Sequence, residues 1–304
     1  MSFIESPERG ATHHKISRFL ERTGFGLLSQ NEKIARLRSM TFQDFFALLS
    51  RLNGQLRNLK IKEHQKSTSD DSRMVKDRND LEIAYIPPTH GPQLLQDFFE
   101  QMKAGISEDN LAQYAVKLRY AIVFAHIFDD GNGRTARYTE RLLTGNRASE
   151  EDAVSGLESC HEQGAELANQ LALFEIFREE VPEEDQRLFE IKIVQDIKVY
   201  TMIVDRRKFN YGFAFPLKFL ALRKTCPDVS IIELMRGKKY WDSVNDKPET
   251  KADFDLNYTK LQDKLFWKVQ ELLDREPNIS KAESGFRNRI DALEDAEKKR
   301  VGYV

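Results

Sequence analysis

The residues with the clearest chemical potential lie in one short segment of the chain. It contains a histidine, two aspartates, a Gly-Asn-Gly turn and two arginines, and it reads His126-Ile127-Phe128-Asp129-Asp130-Gly131-Asn132-Gly133-Arg134-Thr135-Ala136-Arg137. The two glycines allow backbone N–H groups to point into one concavity, which is a typical binding site for anions. The helix predicted to follow adds its free N–H groups and the positive end of its dipole. The segment therefore predicts an anion-binding loop.

Charged side chains in the same segment extend this prediction to nucleotide phosphates. Arg134 and Arg137 are three residues apart on the predicted helix, so both can reach one side and bind phosphate oxygens in pairs. Asp130 places a carboxylate beside the anion site, as expected if Mg²⁺ joins it to phosphates. His126 can accept a proton from a hydroxyl group. Each residue alone is equally typical of a turn, a helix cap or a solvated surface, so the prediction rests on their combination.

The elements that position this segment are predicted to be helical. Thr41 and Asp44 form a capping-box pattern before a helix over 42–56. Ser107 is the expected N-cap of an apolar helix that ends before His126. Further helices are predicted over residues 92–102, 135–143, 166–177, 185–204, 215–223, 230–235 and 258–273, with a charged, turn-rich stretch over 236–254 and a surface helix after residue 280. The apolar stretch 81–86, stopped by prolines, predicts one strand or hairpin arm in an otherwise all-α bundle.

Composition and charge exclude several classes of protein. The 304 residues include 47 Lys and Arg and 49 Asp and Glu, so the net charge of −2 does not suggest a nucleic-acid-binding protein. The longest apolar run, from Tyr120 to Ala125, is far shorter than the roughly 20 residues of a membrane span. The N-terminal residues lack a secretory signal, and Cys160 and Cys226 are too few for a disulfide scaffold. We expect a cytoplasmic protein, or one delivered into a host cell without a classical signal peptide.

The segment from His126 to Arg137 resembles the Fic-domain signature H-P-F-x-[DE]-G-N-G-R-x-x-R. Every fixed position matches except the second, where Ile127 replaces proline. Ile86-Pro87-Pro88 also resembles the part of Fic proteins that joins a flap hairpin to the next helix. The resemblance covers roughly residues 80–150, and it implies a mainly α fold, namely a Fic-type helical core with a small β-hairpin flap and additional helical flanks.

This resemblance divides the chain into four regions. These are a helical N-terminal region (1–60), a polar loop (61–80), the Fic core with its flap and signature (81–150) and a helical C-terminal region of unknown role (151–304).

The resemblance also implies an activity, namely transfer of AMP from ATP to a Ser, Thr or Tyr hydroxyl of a target protein. His126 would be the general base on that hydroxyl, and Asp130 would hold Mg²⁺ on the phosphates. The residues that would line the anion hole and hold the phosphates are Gly131, Asn132, Gly133, Arg134 and Arg137. The residues of the flap, where an extended target segment would dock by strand pairing, would be Glu82, Ile83, Ala84, Tyr85 and Ile86.

Two alternatives to AMP transfer remain open. Relatives of the Doc type carry H-x-F-x-D-A-N-K-R, often with isoleucine after the histidine, and phosphorylate their targets. This chain has Gly131 and Gly133 where Doc proteins have alanine and lysine, which favours AMP transfer, although UMP or another phosphodiester donor is also compatible with the motif. The second alternative is a non-catalytic nucleotide-binding module, and His126 argues against it because a pure binder needs no base.

One short N-terminal segment bears on how the activity would be regulated. Many Fic enzymes are inhibited by a helix with the motif [S/T]-x-x-x-E-[G/N], whose glutamate pairs with the second signature arginine. The nearest match is Ser17 to Glu21, followed by Arg22 instead of a small residue. Glu21 is therefore either a plain surface residue or an inhibitory one. If it is not inhibitory, the enzyme is constitutively active or is silenced by a partner protein.

Overall fold

The computed structural model describes residues 23–57, 74–76, 82–84, 90–145, 160–182, 191–194, 199–204, 207–212, 215–229, 248–276 and 279–300. The chain divides into two compact units. The first unit comprises Met1–Ser72 and Ile86–Glu162, and the second comprises Arg73–Tyr85 and Gln163–Val304. The described residues are mainly helical, which confirms the predicted fold class.

The described part of the first unit is a bundle of helices. After a short 3₁₀ helix at Phe25–Leu27, its helices are α1 (Gln30–Ser39), α2 (Phe42–Leu56), α3 (Gly91–Gly105), α4 (Leu111–Ala125) and α5 (Asn132–Thr144). Both α4 and α2 pack against α5, the helix that follows the signature loop. The helices predicted over 42–56 and 92–102 are confirmed, and the one predicted over 135–143 begins three residues earlier than expected.

Helix α2 begins as the sequence predicts. The Asp44 backbone N–H donates to Thr41 Oγ1 at 3.1 Å, and the Thr41 N–H donates to Asp44 Oδ2 at 3.3 Å, which completes the capping box. The apolar face of the helix is buried, and Phe45 stacks on Phe99 of α3 with ring centroids 4.4 Å apart. This packing fixes α2 beside the helices that carry the signature.

The start of α4 differs from the prediction. Its N-cap is Asn110, and residues 108–110 form a turn, so the expected cap at Ser107 is wrong. The Asn110 side chain explains this, because its Oδ1 accepts from the Ser107 N–H at 2.7 Å and its Nδ2 donates to the Gly105 carbonyl at 3.0 Å. These bonds close a turn that delays the helix. Farther along, the buried Arg119 of α4 forms an ion pair with the partly buried Glu140 of α5, at 2.7 Å.

The second unit combines two small antiparallel sheets with helices. Its strands are β1 (Met74–Lys76), β2 (Glu82–Ala84), β3 (Ile191–Val194), β4 (Val199–Val204) and β5 (Arg207–Gly212). Strand β1 pairs with β2, and the other three form a sheet in the order β3-β4-β5. The helix predicted over 185–204 is therefore wrong for the residues of β3 and β4, which are rich in β-branched side chains that favour pleated pairing. Residues 74–76, predicted as polar loop, also lie in a strand.

The helices of the second unit are joined by ion pairs. They are α6 (Cys160–Glu180, of which residues 163–180 belong to this unit), α7 (Phe215–Thr225), α8 (Pro248–Asp274) and α9 (Ile279–Arg300). Glu180 of α6 accepts from Lys224 of α7 and Lys264 of α8, each at 2.7 Å. Burial opposes the charge of Glu180, yet the two lysine hydrogen bonds prevail and lower the pKa of this carboxyl. These pairs connect three helices of the unit.

Three sequence predictions in the C-terminal region have mixed outcomes. Helix α8 begins at Pro248, so the last part of the stretch 236–254 is helical instead of turn-rich. Helix α9 confirms the helix after residue 280, although Phe286 and Ile290 are buried within it. The helix predicted over 230–235 lies outside the described residues.

Candidate active site

His126 lies at the junction between α4 and the signature loop. It is the C-cap of α4 and adopts a left-handed conformation (φ 45°, ψ 46°), with its N–H donating to the Ile122 carbonyl at 3.2 Å. Among the described residues it is the only non-glycine residue with a positive φ. Such a conformation is unfavourable for a residue with a Cβ and is typical of functional sites. The next two residues, Ile127 and Phe128, are buried and anchor the loop.

The loop is closed by the side chain of Asn132. The Phe128 N–H donates to Asn132 Oδ1 at 3.0 Å, and Asn132 Nδ2 donates to the Phe128 carbonyl at 2.7 Å. Asn132 is buried, so its amide holds the loop closed and is not available to a ligand. Any contribution of Asn132 to an anion hole would therefore come from its backbone N–H.

The N-terminus of α5 has the features of an anion site. Its N-cap is Gly131 (φ 80°, ψ 9°), no side chain caps the first turn, and no acidic residue lies within that turn. Helix N-termini without such groups attract anions through their free N–H groups and dipole. A Cβ at Gly133 would lie 3.7 Å from Nη1 of Arg137, so the second glycine keeps space open beside that guanidinium. The glycines thus leave the start of α5 accessible to an anionic group.

The charged residues of the signature gather at this helix end. Asp130 Oδ2 lies 2.9 Å from Arg134 Nη2, and both side chains are well exposed, at 67% and 44%. Arg134 Nη1 also approaches the Leu56 carbonyl of α2, at 3.5 Å. Exposed ion pairs contribute little to stability. The Asp130–Arg134 pair therefore costs little to rearrange when a ligand competes for either partner.

The last turn of α2 forms one wall of the site, and the sequence prediction missed it. Asn53 is fully buried, and its Nδ2 donates to the Asp130 carbonyl at 2.8 Å and to Thr135 Oγ1 at 3.1 Å. Arg57 lies beside the same loop, because its Cγ would be 3.5 Å from a Cβ at Gly131. Its Nη1 is buried without a hydrogen-bond partner among the described residues. One signal was visible in the sequence, since Asn53 follows Leu49 by one helical turn and so falls on the apolar face of α2.

The family model of the Fic/DOC family matches residues 29–143. These residues form a Fic/DOC-family domain. The match begins at the N-cap of α1, so α1 and α2 belong to the Fic domain, which extends farther toward the N-terminus than the resemblance over residues 80–150 indicated. No curated protein and no solved structure matches the chain significantly. Among the described helices, none is both long and apolar enough to cross a membrane.

The structure brings together only part of the predicted site. His126 and the residues from Asp130 to Arg137 lie on α4, α5 and the loop between them. Glu82, Ile83 and Ala84 form β2 in the second unit, paired with β1, and their use as a flap stays a prediction. Tyr85, Ile86, Ser17 and Glu21 lie outside the described residues.

One carboxylate of the signature loop could take part in a metal site that a bound anion completes. No group of three or more His, Cys, Asp or Glu side chains in the described part of the chain could hold a metal unaided. Mg²⁺ bound to a nucleotide does not need such a group, since one carboxylate, phosphate oxygens and water complete its coordination. Asp130 is an exposed carboxylate beside an anion site and meets that requirement.

Proposed function

We propose that this Fic domain transfers AMP from ATP to a hydroxyl side chain (Ser, Thr or Tyr) of a target protein. Members of the Fic/DOC family transfer nucleotidyl or phosphoryl groups to proteins, commonly AMP, and generally use ATP and Mg²⁺. The observation that carries the proposal is the uncapped N-terminus of α5, which lies between the C-cap His126 and the arginines of the first turns. This arrangement combines a base with a phosphate site.

The proposed reaction assigns a role to each group. The phosphates of ATP bind at the N-terminus of α5, with Arg134 and Arg137 on their oxygens. The imidazole of His126 accepts the proton of the target hydroxyl, and the hydroxyl oxygen forms a bond to the α-phosphorus. At the same time the bond between the α-phosphorus and the oxygen that bridges to the β-phosphate breaks. Pyrophosphate leaves and the target carries AMP. General-base catalysis of this kind contributes about 10²–10⁴ in rate, and fixed donors around the phosphates stabilise the developing charge.

Asp130 would hold Mg²⁺ in the nucleotide complex. When bound, the ion would neutralise charge on the phosphates and assist departure of the leaving group. Arg134 pairs with Asp130 at 2.9 Å. Binding of Mg-ATP would exchange this pair for contacts between the carboxylate and the ion and between the guanidinium and phosphate.

The two glycines of the signature support AMP transfer over Doc-type phosphoryl transfer. A Cβ at Gly131 would lie 2.9 Å from Asn53 Nδ2, so the alanine of Doc proteins does not fit this loop without displacement. A lysine at position 133 would have its Cβ 3.7 Å from Nη1 of Arg137. It would therefore add a second positive charge to the side of the loop that Arg137 occupies. The loop of this chain is therefore built for the glycine form of the signature.

The test uses ATP labelled on either the α- or the γ-phosphate. The full chain is incubated with each label, Mg²⁺ and a cell lysate, and protein-bound label is measured. Beyond the label found in the lysate alone, we expect additional label from the α-phosphate only, reduced at least 100-fold by His126→Ala and unchanged by the matched control His90→Ala at the start of α3. Additional label from the γ-phosphate, above that of the lysate alone, would indicate phosphoryl transfer instead. No additional label from either position would contradict an enzymatic function and favour a binding module.

A further inference from the structure

Asn53 of α2 joins both sides of the phosphate-binding turn with one amide group. Its Nδ2 donates to the carbonyl of Asp130, 77 positions later in the chain, and to the hydroxyl of Thr135, 82 positions later. We propose that Asn53 is a positioning residue of the Fic active site, which sets the backbone of Asp130 and the first turn of α5 for Mg-ATP. The proposal rests on the function proposed above and concerns a residue outside the signature.

The side-chain amide of Asn53 lies where it can hold both ends of the Gly-Asn-Gly turn in place. Asp130 and Thr135 flank the Gly-Asn-Gly turn, so two bonds from one nitrogen fix the start and the end of that turn. The amide can approach this closely only because residue 131 is glycine, since a Cβ there would lie 2.9 Å from Asn53 Nδ2. The Arg134 guanidinium approaches the Leu56 carbonyl in the same turn of α2. Helix α2 thus contacts both partners of the Asp130–Arg134 pair.

The energetics of Asn53 argue against a purely structural role. The residue is fully buried, and its Oδ1 is buried without a hydrogen-bond partner among the described residues. A buried acceptor without a donor destabilises a fold, whereas an apolar side chain of similar size avoids that cost. Leucine at this position would also continue the apolar face that Leu49 and Leu56 form. The amide is therefore better explained by the groups that it orients than by the stability that it adds.

The inference predicts a specific effect on magnesium-dependent binding. Asn53→Leu removes both donors and conserves volume, and Asn53→Asp removes the donors and places a carboxylate against the Asp130 carbonyl. The matched control is Leu49→Ala, a cavity on the same buried face one turn earlier. The affinity of each full-length protein for ATP, with and without Mg²⁺, is measured by calorimetry. The urea midpoint of unfolding is measured in parallel.

We expect both Asn53 variants to bind Mg-ATP at least tenfold more weakly and to lose clearly less affinity for ATP without Mg²⁺, because metal-free binding depends on the first turn of α5 but not on Asp130. Leu49→Ala should lower the urea midpoint more than Asn53→Leu does and leave both affinities within twofold of wild type. A structural role of Asn53 predicts the reverse, with affinity loss only where the midpoint falls. Unchanged magnesium dependence in Asn53→Leu would overturn the proposal.

Failure of this proposal can be separated from failure of the proposed function. If the wild type binds Mg-ATP but labels no protein with the α-phosphate, AMP transfer is contradicted while the affinities still decide the role of Asn53. If the wild type labels protein and Asn53→Leu binds Mg-ATP equally well, the positioning role alone is contradicted.

Discussion

Gly131→Ala is the substitution whose effect can be derived most directly from the structure. At φ 80° an alanine adopts a left-handed conformation, which costs about 1–2 kcal/mol. The added Cβ would also lie 2.9 Å from Asn53 Nδ2, and displacing a packed side chain costs about 1–3 kcal/mol. The reduced backbone freedom of the unfolded alanine chain offsets about 0.4–1 kcal/mol of this loss. We therefore expect the free energy of unfolding to fall by about 1–5 kcal/mol, with a central value of ~3 kcal/mol.

Gly145→Ala provides a matched control at the other end of the same helix. Gly145 also has a positive φ, of 67°, and its Cβ would lie 3.4 Å from Lys33 Nζ, which is ordinary contact. This variant should incur the conformational cost without the collision, so we expect a loss of about 1 kcal/mol. Residue 145 follows α5 and is far in sequence from its N-terminus, so labelling of target protein should be unchanged.

The assay pairs urea unfolding with initial rates of labelling from α-labelled ATP, well below the unfolding transition. Gly131→Ala should lose at least tenfold in labelling, which corresponds to about 1.4 kcal/mol, while Gly145→Ala should keep the wild-type rate. Equal losses of stability in the two variants would refute the collision with Asn53. Wild-type labelling by Gly131→Ala would refute the assignment of this turn as the phosphate site.

Three further predictions concern other groups described above. Because glycine adopts the left-handed conformation of residue 126 without strain, His126→Gly should be more stable than His126→Ala by about 1 kcal/mol in chemical denaturation, although neither labels protein. Glu140→Gln should lower the free energy of unfolding by more than the ~1 kcal/mol typical of an exposed pair, since it removes the carboxylate that pairs at 2.7 Å with the largely buried Arg119 guanidinium. The stability that Glu180 adds over Glu180→Gln should be present above its ordinary pKa of 4.5 and disappear as pH falls, because, although burial opposes the charge, the hydrogen bonds from Lys224 and Lys264 lower the pKa of the folded carboxyl.

Controls separate these effects from general destabilisation. Glu100 and Lys103 form a more exposed pair within the first unit, at 3.2 Å, so Glu100→Gln should cost no more than about 1 kcal/mol. A similar loss for Glu140→Gln would contradict the burial argument. For Glu180, urea titrations of both proteins at pH 7 and pH 3 are sufficient. A stability difference that grows toward pH 3 would have the wrong sign and contradict the lowered pKa.

Local chemistry explains what could be predicted from the sequence. The capping box of Thr41 and Asp44 acts within one turn, so the sequence predicts the start of α2 without any knowledge of tertiary contacts. The signature from His126 to Arg137 is contiguous, and its glycines dictate the turn between α4 and α5. Apolar residues at helical spacing were sufficient to predict the long helices, because that spacing also determines the buried face.

Relations between distant residues explain what could not be predicted. The role of Asn53 depends on a loop 77 positions away, so its type and spacing reveal only that a polar residue lies on an apolar face. The strands β3 and β4 were predicted as helix because short apolar runs do not distinguish the two states, and their pairing decides the outcome. Ser107 has the right residue type for a cap, but the Asn110 side chain closes a turn ahead of α4, so that Asn110 is the N-cap.

The anchoring of α5 at both ends has a consequence for how the site comes into existence. Asn53 holds its first turn, and Lys33 of α1 is buried with its Nζ donating to the Leu143 carbonyl at the other end, across 110 positions of chain. Contacts between such distant positions slow folding, because a long loop must close before they form. During synthesis α1 and α2 emerge first, and they can form their contacts with α5 only after α5 has left the ribosome. The phosphate site is therefore among the last parts of the domain to assemble, and a chain that ends before residue 143 lacks the contact of Lys33 that anchors the end of α5.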